Sequence, residues 1–244
     1  MIGVLDSGIG GLRLCRNLRQ RWPQEDFLFL ADQAHVPYGS LSRQRLLDIL
    51  NANLLWMKGQ GVQRVVIACN TASASGILQQ PLSGLEVQGI ITATCAQAAG
   101  LRRILVLATP FTAQSHCYRD ELRRISPQSE VKEVGLRQLA SLIERMADSE
   151  EITAYLQQEI GRFAGRFDAA ILACTHFPYV RPQFEQILHL PLIDSESIVP
   201  DWQPQIEHGA LRIVTTGNAA YLQRQMLQML DWRWPCESVQ IEKE

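Results

Sequence analysis

The sequence predicts an α/β fold of two similar lobes, each with a mostly parallel sheet flanked by helices. Three observations point that way. Short apolar runs alternate with stretches of helical period, the pattern of βαβ units. The runs are continuously apolar, as in sheets covered on both faces. One segment also occurs twice: "VVIACNTASA" at 65–74 has a partner in "AAILACTHFP" at 169–178. Each is an apolar run ending Ala-Cys, followed by a polar pair and the start of a helix.

Taken in order, "IGVLD" (2–6) reads as a strand, followed by a helix from Gly11 to about Trp22. "FLFLAD" (27–32) is a second strand. "ADQAHVPYG" (31–39), with Pro37 and Gly39, is then a loop at the same sheet edge. "QRLLDILNANLLWMKGQG" (44–61) has apolar residues at helical spacing and ends on Gly59 and Gly61, a stop signal. "RVVIAC" (64–69) is a third strand, with a helix from Thr71 to about Gln80. Further strands are expected at 87–92, 103–109, 168–174 and 211–217, and helices at 112–125, 136–147, 150–166, 178–188 and 218–231. No linker or low-complexity segment marks a boundary. The symmetry divides the chain into a first lobe of 1–92 plus 208–244 and a second lobe of 93–207.

Composition narrows the class. The chain has 244 residues, 46% of them hydrophobic, enough for a sizeable core. Its formal charge is −2 with no polybasic run, so the footprint of a nucleic-acid binder is missing. No stretch approaches ~18 consecutive apolar residues, so no membrane span is expected. "MIGVLDSG" lacks a basic region before an apolar core and does not read as a signal peptide. The six cysteines are scattered without a C-x-x-C pair, which fits reduced thiols and a cytoplasmic protein.

Four segments carry candidate chemistry. In "DSGIGGL" (6–12), Gly8, Gly10 and Gly11 follow a strand and open a helix. A dinucleotide fingerprint would need a third glycine where Arg13 stands, so that reading fails. What remains is a tight turn presenting Asp6 and Ser7 at the strand end, either as a helix cap or beside backbone amides that bind a carboxylate. Cys69 alone reads as a small buried hydrophobe, a nucleophile, a base or a metal ligand. A thiol beside a helix N-terminus is biased toward thiolate, and an equivalent second thiol at Cys174 is hard to explain by packing. His176, two residues beyond Cys174, can polarise it, orient a ligand or simply cap a helix. Zinc is disfavoured because no ligands come in close pairs, and no metal is expected. In the 31–39 loop, Asp32 and Tyr38 face the same strand edge or serve as ordinary turn packing.

In this order and spacing, "DSGIGGL", "VPYG", "ACNTASA" and "ACTHFP" resemble the glutamate racemases of the aspartate/glutamate racemase superfamily. Weaker echoes in "LATPFTAQSHCY" (107–118), "SLIE" (141–144), "LIDS" (192–195) and "VTTGN" (214–218) extend the likeness over nearly the whole chain. The resemblance implies two α/β lobes with the active site at the lobe interface. It also implies interconversion of L- and D-glutamate without cofactor, supply of D-glutamate for peptidoglycan and a small amino-acid substrate, and it allows a homodimer. Cys69 and Cys174 would be the two acid/base thiols, assisted by Asp6 and His176. Asp6, Ser7, Tyr38, Gly39, Asn70, Thr71, Thr175 and His176 would contact the substrate, and Asp32, Thr112 and Glu144 would support them.

The chain also departs from that pattern. Gln33 and His35 stand where the family commonly has Thr and Arg, and 91–100 lacks the usual Pro-Gly and offers Cys95. Ala108 and Phe111 replace glycines, and Phe111 would narrow the side-chain pocket. Two alternatives follow: a racemase of another amino acid such as aspartate, or a catalytically weak paralogue that binds an amino acid.

Overall fold

In the computed structural model, residues 1–82 and 84–241 are described. Positions 242–244, the last three of the expected first lobe, lie outside them. The chain divides into two compact units, Met1–Ile90 with Glu196 onward, and Ile91–Ser195. Residues 196–207, expected with the second lobe, group with the first unit. Arg64 Nη1 donates to the Gln203 carbonyl at 2.8 Å, the Gln205 amide to Glu25 Oε2 at 2.8 Å, and Trp202 Nε1 to Glu86 Oε1 at 2.5 Å.

The first unit contains β1 (Ile2–Asp6), α1 (Leu12–Arg21), β2 (Phe27–Ala31), α2 (Arg43–Gly59), β3 (Arg64–Ile67), α3 (Asn70–Ser73) and β4 (Glu86–Gly89). The second contains α4 (Ile91–Ala96), β5 (Arg103–Ala108), α5 (Pro110–Ser115), α6 (Cys117–Ile125), β6 (Glu130–Gly135), α7 (Leu139–Glu144), α8 (Ser149–Ile160), β7 (Ala169–Ala173), α9 (Arg181–Leu188) and β8 (Leu192–Ile193). The first unit resumes with β9 (Leu211–Thr215), α10 (Ala219–Leu230) and β10 (Cys236–Ser238).

Its sheet runs in the order β10-β9-β2-β1-β3-β4, and that of the second unit β6-β5-β7-β8. Every pairing among the described strands is parallel. The central strands β1, β2, β3 and β7 are buried along their whole length, as their largely apolar sequences require, with charged residues only at the end of β1 (Asp6) and the start of β3 (Arg64). In the second unit Ile104, Val106, Ala108, Ile171 and Ala173 of the sheet pack with Tyr118 and Leu122 of α6.

The topology fixes where chemistry can sit. From β1 the chain moves to β2 on one side, and from β3 to β4 on the other. The adjacent strands β1 and β3 therefore form a topological switch point, where the outgoing connections diverge and open α/β sheets bind ligands. The second sheet repeats this with β5 leading to β6 and β7 to β8, so β5 and β7 form its switch point. Cys69 follows β3 and Cys174 follows β7.

Several elements differ from expectation. The helix expected after Cys69 is only the single turn α3, followed by a 3-10 turn at Ile77–Gln79. After Cys174 a 3-10 turn, Phe177–Val180, precedes α9. The helix expected at 112–125 breaks at His116, whose φ of 58° ends α5. The strand expected at 87–92 ends at Gly89, and Ile91 opens α4. Strands β6, β8 and β10 come in addition. Each lies at a sheet edge or is very short, where charged residues such as those of "EVKEVG" are tolerated.

Candidate active site

In the first unit the switch-point strands deliver Asp6 and Ser7 from β1, and Cys69, Asn70 and Thr71 from β3. All five are buried. Asp6 Oδ1 accepts the Gly8 amide at 3.0 Å, which folds the chain back directly after the strand. The turn closes tightly: a Cβ on Gly11 would lie 2.8 Å from the Asp6 Cβ and 2.9 Å from the Ala68 Cβ. The Cys69 thiol is 5% exposed. Its Sγ points at Ser7 Oγ, 3.8 Å away, so the two strand ends meet through a thiol–hydroxyl contact.

Tyr38 and Gly39 lie on a 3-10 turn, Tyr38–Ser40, that packs against α3. The Tyr38 side chain is buried, and its hydroxyl donates to Asp32 Oδ2 at 2.6 Å. Burial first, then the Asp32 carboxylate, push the Tyr38 pKa well above the phenol range, so the phenol stays neutral. Asp32 therefore acts beneath Tyr38.

In the second unit β7 delivers Cys174, Thr175 and His176, all buried, with the thiol 5% exposed. His176 Nδ1 lies 3.9 Å from Cys174 Sγ, and its Nε2 is 2.6 Å from Glu144 Oε2 at the end of α7. Burial alone would lower the His176 pKa, but the contacts with Cys174 and Glu144 raise it well above the usual imidazole value. The imidazole thus sits between the Glu144 carboxylate and the Cys174 thiol. Thr112 is buried in the first turn of α5, beyond the neighbouring strand end, where Thr109 Oγ1 accepts its amide at 3.3 Å.

The other four cysteines lie elsewhere, and burial dominates their thiols. Burial raises Cys15 to about 12 and Cys236 to about 11, and lifts Cys95 and Cys117 as well. Among the described residues no group of three or more His, Cys, Asp or Glu is placed to hold a metal ion. Neither thiol faces the N-terminus of a long helix, although the sequence led one to expect it. Their surroundings are the first amides of short turns and the side chains named above.

The structure also brings in residues that sequence reasoning passed over. Asn53 and Thr216 both donate to Asp32, at 3.0 and 2.6 Å. Asn53 carries a legible signal, a lone amide in the buried stripe Leu46, Ile49, Leu50, Leu54 and Met57 of α2. Thr216 lies within the echo "VTTGN", which gave it no role of its own. His35, where an arginine was the familiar residue, lies against both Asp32 oxygens at 2.9 and 3.0 Å.

Comparison with known proteins bears on the family and the fold. A family model described as Asp/Glu/hydantoin racemase matches residues 32–199. A glutamate racemase of Synechocystis sp. is 37% identical over 209 residues, covering 81% of this chain and 73% of that protein. One from Lactobacillus acidophilus is 30% identical over 195 residues, covering 77% and 72%. Among solved structures, a glutamate racemase isoform of Bacillus anthracis matches with a TM-score of 0.89 at 25% identity, covering 100% of this chain and 98% of that one. The Francisella tularensis glutamate racemase, solved in complex with D-glutamate, matches at 0.87 and 26%, with the same coverage. With its two parallel α/β sheets and a family match over most of its length, the chain belongs to the Asp/Glu/hydantoin racemase family.

Proposed function

We propose that the protein is a cofactor-independent glutamate racemase working by two bases, Cys69 and Cys174. The observation that carries this reading is the equivalence of the two thiols. Each follows the strand across the switch point of its own sheet, and packing alone does not require that twice. Racemisation needs such a pair. One base removes the proton from one face of Cα, and a conjugate acid delivers another to the opposite face. In each direction one cysteine is thiolate and the other thiol, and their roles exchange. Cys69 takes the proton from D-glutamate and Cys174 from L-glutamate.

The Cα proton is far less acidic than a thiol, so the developing carbanion has to be stabilised. Asn70, Thr71, Thr175, Ser7 and nearby backbone amides are suitable donors to the α-carboxylate. Asp6 and His176 assist their neighbouring thiols, His176 with Glu144 behind it. Tyr38 and Gly39 complete the amino-acid contacts, and Thr112 and Asp32 support them. The wider role is a cytoplasmic supply of D-glutamate for peptidoglycan.

The test is racemisation of purified protein with L- and D-glutamate in chelator-containing buffer, in deuterated water. Solvent deuterium should appear at Cα without added cofactor. Cys69→Ser and Cys174→Ser should each lower turnover at least ~100-fold, the range of a lost general base. Full activity in either variant overturns the two-base reading. Light scattering tests the homodimer.

A second reading keeps the thiols and changes the substrate to aspartate or another small acid. It is favoured by Phe111 in α5, one residue before Thr112. Chiral chromatography across a panel of amino acids separates the two readings.

A further inference from the structure

The Asp32 carboxylate is fully buried and takes donors from three stretches of chain. Oδ1 accepts from Thr216 Oγ1 at 2.6 Å, and Oδ2 from the Tyr38 hydroxyl at 2.6 Å and Asn53 Nδ2 at 3.0 Å. His35 Nδ1 approaches both oxygens. The two oxygens offer about four lone-pair sites, and these partners fill them. Asn53 Nδ2 also donates to the Tyr38 hydroxyl at 3.2 Å. Amide, carboxylate and phenol thus close a triangle. The phenol donates to Asp32 and accepts from Asn53, so its O–H direction is fixed by both.

The triangle accounts for a polar residue at position 53. Asn53 is 2% exposed, on the face where α2 otherwise buries Leu46, Ile49, Leu50, Leu54 and Met57. A leucine would suit that stripe, and a buried amide is costly unless its hydrogens are bonded. Here Asn53 Nδ2 donates to two acceptors, Asp32 Oδ2 and the Tyr38 hydroxyl, which lie 2.6 Å apart and share it. Being neutral, Asn53 adds a donor to the site without adding charge beside Asp32.

We propose that Asn53 is a positioning residue: through the Tyr38 hydroxyl and Asp32 it locks the Tyr38–Gly39 turn that takes the substrate. The inference rests on the reading of Tyr38 and Gly39 as substrate contacts. The turn packs on α3, directly after Cys69, so a shift at Tyr38 is felt beside the thiol without either residue touching the reacting atoms. Substitution is sterically feasible. Asn53 lines a cavity of about 350 Å³ together with Ile49, Ala52 and Thr216, which gives a larger side chain room.

The test is Asn53→Leu, compared with Tyr38→Phe and the double variant. Asn53→Leu should raise the KM for glutamate roughly fivefold to tenfold, the worth of one hydrogen bond, with kcat little changed. Added to Tyr38→Phe it should change KM no further, because both act through one contact. Additive losses, or a fall in kcat at unchanged KM, would overturn the proposal. A second readout does not depend on the substrate. The chain has five tyrosines, so 3-fluorotyrosine labelling gives a short fluorine NMR spectrum in which Tyr38→Phe identifies the Tyr38 line. Asn53→Leu should move that line, and an unmoved line overturns the proposal whatever the enzyme acts on. A moved line with unchanged KM keeps the lock and instead rejects Tyr38 as a substrate contact. If the leucine variant does not fold, Asn53→Asp, equal in size but facing Asp32 with a second carboxylate, should move the line as well.

Discussion

Cys69 and Cys174 occupy equivalent places but have unequal neighbours. Cys69 meets a neutral hydroxyl, Ser7, whereas Cys174 meets His176 backed by Glu144. The second arrangement stores a pH-dependent contribution to stability. The folded-state pKa of His176 is raised above its ordinary 6.5, because Cys174 and Glu144 outweigh burial. A raised histidine favours the fold most below its unfolded pKa and loses that benefit as pH rises through the folded value. The melting temperature of His176→Gln should therefore lie furthest below wild type near pH 6, with the gap closing toward alkaline pH. A gap that widens as pH rises would reject the charged His176–Glu144 pair. The histidine itself was legible, since it stands two residues from a cysteine in a repeated motif. Its carboxylate partner lies 32 positions away, and only a short echo in "SLIE" hinted at it.

At the scale of elements, strand ends and tight turns carry the site, and long helices do not. Gly11 illustrates why. Its neighbours at under 3 Å are the Cβ atoms of Asp6 and Ala68, which are fixed to adjacent strands and cannot swing away. Gly11→Ala should destabilise the protein by roughly 1–3 kcal/mol, the usual cost of overpacking a tight site. Urea unfolding would measure it, and an unchanged midpoint would show that the β1–α1 turn has slack. The helix expected after Cys69 shortened to a turn, and the one expected after Cys174 begins only at Arg181, because apolar and small residues do not by themselves state where a helix starts or how long it lasts. His116 broke a helix whose sequence pattern runs on without interruption, and nothing in the one-dimensional pattern marks a positive φ. The strands carrying the thiols were legible because buried parallel strands are mostly apolar. The edge strands β6 and β10 were not, because their charged residues resemble a loop.

At the scale of the whole molecule, each unit has its own parallel sheet and its own core. The second unit is one continuous stretch, residues 91–195, with a hydrophobic cluster drawn only from itself. Expressed alone it should unfold in a single cooperative transition, seen by circular dichroism; a gradual, non-cooperative melt would mean that it depends on the remainder of the chain. The first unit is assembled from two separated stretches, the second of which inserts β9 beside β2. By itself the sequence determined the fold class, the internal symmetry and the two thiols, because burial on both sheet faces writes continuous apolar runs and a repeated motif survives in one dimension. Only the tertiary structure decided the strand order that makes β1/β3 and β5/β7 switch points, the membership of residues 196–207, and the convergence of Tyr38, Asn53 and Thr216 on Asp32. Hydrogen bonds between residues up to 184 positions apart depend on where the chain crosses over, and local residue pattern does not encode that.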